Sequence, residues 1–81
     1  MMIKVALFAS ARDIVGCDML DINLDESATV GDVKSDLASR FPDLIAIMER
    51  STWSVDHQYV DDQKPLYENA EVGLIPPVSG G

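Results

Sequence analysis

The sequence predicts an α+β fold, a mixed β-sheet with one main helix lying across it. Three observations predict it. Apolar residues alternate with period two near both ends of the chain, a single long stretch between them has helical spacing, and 81 residues leave room for only one small domain.

Segment 2–8 alternates Ile3, Val5 and Leu7 with Lys4, Ala6 and Phe8, the pattern of a half-buried strand. Ser10 reads as the cap of a short helical turn, with Asp13 at the capping-box position, Ile14 and Val15 pointing inward and Gly16 as the stop. A strand at 18–24 follows, Leu20, Ile22 and Leu24 alternating with Met19, Asp21 and Asn23, and the short connection pairs it antiparallel with the first. Thr29 and Asp32 repeat the capping pattern ahead of Val30, Val33, Leu37, Ala38 and Phe41, whose spacings put one apolar stripe on the main helix. Pro42 ends that helix and suits the first turn of a second helical piece through Leu44, Ile47 and Met48, too short to persist without tertiary packing. Trp53–Val55 and Tyr59–Val60 read as short strands about a turn at Asp56-His57, and Glu71–Ile75 as the final strand. If the two most apolar strands, first and last, pair in parallel at the middle of the sheet, the result is a roll of the β-grasp kind. Residues 1–75 then make the domain and 76–81 an extended tail.

Composition narrows the function classes. Hydrophobic residues make up 47% and charged residues 25%, the balance of a folded globule. A chain this small buries only about 60% of its unfolded surface, so a thin core is expected and a deep, self-sufficient active site is not. Fourteen acidic against six basic residues give a formal charge of −8, which repels phosphate backbones and anionic lipid heads and argues against nucleic-acid or membrane partners. The lone Cys17 cannot form an internal disulfide and suits a reducing compartment. No apolar run approaches the ~20 residues of a membrane span, and the opening Met1–Val5 lacks the features of a signal peptide. The expected location is the cytoplasm.

The usual catalytic groups are missing. His57 is the only histidine and sits among polar turn residues, where solvation explains it better than ligation. Cys17 follows Gly16 at a strand start with no nearby base, and reads as a small apolar filler rather than a reactive thiol. Asp61-Asp62 could imitate a carboxylate pair, but neighbours in a strand point to opposite faces and in a loop are ordinarily solvated. No cluster suits a metal. The unusual feature is the ending Pro76-Pro77-Val78-Ser79-Gly80-Gly81. Gly80 and Gly81 lack Cβ atoms, so their backbone can pass through a channel too narrow for other residues. Pro76 and Pro77 hold the approach extended, which reduces the ordering cost of about 1–2 kcal/mol per residue on docking. Nothing shields the last carboxylate. A frayed end would also account for the glycines alone.

The segment Leu74-Ile75-Pro76-Pro77-Val78-Ser79-Gly80-Gly81 resembles the ending of the small, sulfur-carrying subunit of molybdopterin synthase, the MoaD family. Val5-Ala6-Leu7-Phe8-Ala9 and Arg12-Asp13-Ile14-Val15-Gly16 resemble that family's first strand and following turn. Two places depart from the family pattern: Asp56 stands where asparagine is common, and Asn69-Ala70 replace a Gly-Asp pair. The resemblance implies a ubiquitin-like β-grasp fold and a cycle centred on Gly81. An E1-like enzyme using Mg-ATP would adenylate its carboxylate, a persulfide donor would convert the adenylate to a thiocarboxylate, and the tail from Pro76 to Gly80 would thread into the large subunit. There the sulfur would pass to cyclic pyranopterin monophosphate, in a heterotetramer of two small and two large subunits. No permanently bound cofactor is implied. Among Val72, Leu74, Ile75 and Phe8, those not needed by the core are candidates for partner docking, with Phe8, Leu74 and Ile75 the main ones. The thiamine-pathway sulfur carrier shares fold and terminal Gly-Gly but lacks the Pro-Pro-Val-Ser lead-in; a ubiquitin-like protein modifier would end as an isopeptide instead.

Overall fold

The computed structural model describes residues 1–77. Within them five strands, β1 (Met2–Leu7), β2 (Met19–Asn23), β3 (Thr52–Val55), β4 (Gln58–Val60) and β5 (Glu71–Ile75), form one sheet in the order β2-β1-β5-β3-β4. β1 and β5 run parallel at its centre and the other neighbouring pairs are antiparallel, as the two most apolar strands require. The helical segments are α1 (Ala9–Val15), α2 (Val30–Arg40), a 3-10 turn at Pro42–Leu44 and the single turn α3 (Ile45–Met48). The expected second helical piece thus exists as two short turns, held because Leu44 and Met48 are buried.

Alternation decides which face of the sheet is covered. Ile3, Val5 and Leu7 of β1, Ile22 of β2, Trp53 and Val55 of β3 and Val72 and Leu74 of β5 are buried in one cluster with Val30, Val33 and Leu37 of α2. Their strand neighbours, Lys4, Ala6, Ser54, Glu71, Gly73 and Ile75 among them, therefore face the other side of the sheet.

The cap of α2 was legible. Asp32 accepts the backbone N–H of Thr29 at 2.8 Å and the Thr29 hydroxyl at 3.3 Å. Asp32→Ala is therefore expected to destabilise the domain by about 1 kcal/mol, lowering the thermal midpoint by about 4–8 °C. Calorimetric melts that overlay wild type would contradict it.

The start of α1 differs from expectation. Phe8, not Ser10, is the N-cap; no side chain caps the helix, and Ser10 and Asp13 lie inside it. Ala9 instead turns the chain out of the sheet at φ 50°, a left-handed conformation that disfavours a Cβ. Gly16 stops the helix at φ 92°, its N–H donating to the Arg12 carbonyl at 2.7 Å. Ala11 is the buried residue of this turn, whereas Ile14 is exposed and Val15 half-buried.

Segment 61–70, which carries no periodic signal, completes the fold over a long range. The carbonyls of Asp62 and Lys64 accept the otherwise free N–H groups of Gly31 (2.8 Å) and Val30 (3.1 Å) at the start of α2. Leu66 and Ala70 enter the core, and Lys34 bonds Asp62 at 2.9 and 3.0 Å. The two family departures keep their turns. Asp56 and His57 occupy left-handed positions, φ 48° and 71°, in the β3–β4 turn, and Asn69 does so at 66°, the residue types besides glycine that tolerate it best. Asp56 also fastens that turn to β5, donating its N–H to the Glu71 carbonyl (2.9 Å) and accepting the Glu71 N–H on its carboxylate (3.1 Å).

Candidate functional site

The tail leaves from the central strand of the sheet. β5 is paired with β1 on one side and β3 on the other, with Leu7↔Leu74 and Thr52↔Ile75 the last registered pairs. Pro76 is half-buried and Pro77 exposed. Val78, Ser79, Gly80 and Gly81 lie outside the described residues.

The three candidate docking residues separate. Phe8, at the end of β1, is 49% exposed and Ile75 half-exposed. Leu74 has no accessible surface, because its place in the alternation turns it into the core with Val72. The docking expectation is corrected at that position and narrows to Phe8 and Ile75.

Those two residues bound a feature the sequence reading missed. A depression of about 200 Å³ opens on the outer sheet face, lined by Ala6, Phe8, Ser54, His57, Tyr59, Glu71, Gly73 and Ile75. Its floor follows from register: Ala6, Gly73 and Ser54 stand opposite one another across β1, β5 and β3, and Tyr59 of β4 continues the row. Small side chains in the middle and large ones around them make a trough. A Cβ on Gly73 would lie 2.5 Å from the Ser54 Oγ, so this glycine keeps the floor low. Phe8 and Ile75 close the end towards the tail; Glu71 and His57 close the other, the His57 Nε2 lying 4.0 Å from the Glu71 carboxylate. Composition hides this site, since the residues are far apart in sequence and only register unites them.

The remaining candidates sit in turns and loops. His57 is 86% exposed in its turn. Cys17 is half-buried and unbonded to another sulfur. Asp61 and Asp62 have separate partners, Asp61 accepting the Gln63 N–H at 2.9 Å and Asp62 holding Lys34. Among the described residues no group of three or more His, Cys, Asp or Glu is placed to hold a metal ion, and no helix is long and apolar enough to cross a membrane.

Known proteins share both the sequence and the architecture. The model of the ThiS family matches residues 5–81. The molybdopterin synthase sulfur carrier subunit of Chlamydomonas reinhardtii is 31% identical over 83 residues, covering 100% of both chains. SAMP1 from Haloferax volcanii superposes with a TM-score of 0.88 at 24% identity over 100% of both chains. A chain in the complex of subunits 1 and 2 of the molybdopterin-converting factor from Helicobacter pylori superposes with a TM-score of 0.74 at 20% identity, again over 100% of both.

Proposed function

The chain belongs to the ThiS family, and from that premise we propose that it is the sulfur carrier subunit of a molybdopterin synthase, with the C-terminal Gly81 as its reactive residue. The observation that carries this reading is the end-to-end match to a curated relative of that name. It favours the molybdopterin pathway over the thiamine one, which the family match alone leaves equal.

The chemistry follows from what a carboxylate lacks. A C-terminal carboxyl titrates at about 3.3–3.7, so at neutral pH it is an anion and a poor electrophile. Activation comes first: one carboxylate oxygen of Gly81 attacks the α-phosphate of ATP on an E1-like enzyme, giving an acyl-adenylate and pyrophosphate. A persulfide then displaces AMP, and thiol cleavage of the resulting acyl disulfide frees the thiocarboxylate. On the large subunit, two such carriers in turn supply the two sulfurs that convert cyclic pyranopterin monophosphate to a dithiolene.

In this division of labour the chain provides a rigid platform and a thin reach. β5 fixes where Pro76 begins, Phe8 and Ile75 offer apolar surface beside it, and the base and phosphate-binding groups belong to the partners.

The test is reconstitution. Purified chain in thiocarboxylate form is expected to make no molybdopterin alone and to make it once the large subunit is added, assembling two of each. Intact mass of the chain from cells should show one sulfur in place of one oxygen. Recovery as an isopeptide on other proteins, or turnover without the large subunit, would overturn the proposal.

A further inference from the structure

Resting on the docking reading above, we propose that the trough on the outer sheet face seats one arginine side chain of the large subunit. Its aliphatic stem lies over Ala6 and Gly73, and its guanidinium reaches the Glu71 carboxylate and the Ser54 hydroxyl.

The trough's chemistry selects this occupant. Ser54 lines the trough, its Oγ set beside the Gly73 position on the floor, where a donor entering from outside can reach it. Once a partner covers the trough, that hydroxyl needs a hydrogen-bond partner there. Glu71 is underused: its side chain is 39% exposed and its one ion-pair contact among the described residues is His57 at 4.0 Å, the outer limit of such contacts. A purely apolar knob would cover both groups and leave them unpaired, which is unfavourable. A phosphate would meet a carboxylate on a chain of charge −8. Lysine could reach Glu71 but offers a compact point charge. Arginine carries several donors in one plane, enough to serve carboxylate and hydroxyl together, and its flat face can lie on an aromatic ring; Tyr59, 75% exposed, stands on the same rim. A volume of about 200 Å³ suits one long side chain rather than a ligand of drug size.

Position assigns the partner. The trough shares Ile75 with the start of the tail, so a protein that receives the tail on this side covers the trough at the same time. The small floor row then has a purpose, because a Cβ at Gly73 would lift the stem away from Glu71.

Titration calorimetry of the full chain against the intact large subunit of the same organism tests the assignment. Glu71→Gln is expected to weaken binding by about 10–100-fold and to flatten its dependence on salt, while the thermal midpoint stays at the wild-type value. Ser54→Ala is expected to weaken binding severalfold. Replacing the large subunit's surface arginines singly by alanine should find one whose loss is not additive with Glu71→Gln in a double-mutant cycle. Wild-type binding and sulfur transfer with an unchanged Glu71→Gln, or strict additivity for every arginine, would overturn the arginine assignment alone. Failure of the wild-type chain to bind would overturn the docking reading and this assignment with it.

Discussion

Removal of Gly81 alone is expected to abolish acyl-adenylate formation while leaving the melting curve in place. The truncated chain still ends in a carboxylate, so the loss is one of position. Each extended residue spans about 3.3–3.6 Å, whereas a displacement of about 1 Å at a reacting atom can lower a rate on the order of 100-fold. Among the described residues the hydrophobic cluster runs from Ile3 to Leu74, and deleting Gly81 leaves all of those side chains in place, so the melting midpoint is expected to stay at the wild-type value. ATP–pyrophosphate exchange with the activating enzyme reads the first effect and calorimetry the second. Exchange at the wild-type rate by the shortened chain would mean that Gly81 is not the reactive residue.

Leu74→Ala is expected to act in the opposite sense, on the fold and not on the chemistry. With no accessible surface on the central strand, Leu74 should lose about 2–5 kcal/mol on truncation, a large part of the roughly 5–15 kcal/mol that holds a domain of ordinary stability. Ile75→Ala, one residue on and half-exposed on the other face, should leave urea unfolding nearly unchanged and weaken association with the large subunit. A Leu74→Ala protein of wild-type stability that fails only to dock would reverse both assignments.

Periodicity carried most of the fold. The alternation in β1 and β5 and the 3- and 4-residue spacings of Val30, Val33 and Leu37 are local signals, and the Thr29–Asp32 cap is a short-range motif, so each could be read before any tertiary contact was known. Ser10 misled because a serine followed three residues later by an acid is also what the inside of a short turn can contain, and the left-handed Ala9 that sets the helix start has no sequence mark. Leu66 and Ala70 escaped notice since they join the core from a stretch without a period, anchored by carbonyls whose partners sit about thirty positions upstream. Leu74 was legible as apolar but not as inward, because a one-residue shift of register exchanges the two faces. The trough was illegible for the same reason: Ala6, Ser54 and Gly73 are unremarked small residues until pairing sets them in one row.

The parallel pairing of β1 with β5 has a consequence for how the domain comes into being. The middle of the sheet is made from the earliest and the latest strands of the domain, so during synthesis β1 waits with its inner edge open until β5 clears the ribosome. Contacts so distant along the chain slow folding and make it all or none: a nascent chain cut short before Glu71 lacks the central strand, Val72 and Leu74 together, and cannot close its core. Completion of the fold therefore waits on the strand from which Pro76 leaves, and a partner that recognises the closed sheet meets only chains whose last strand has already been made.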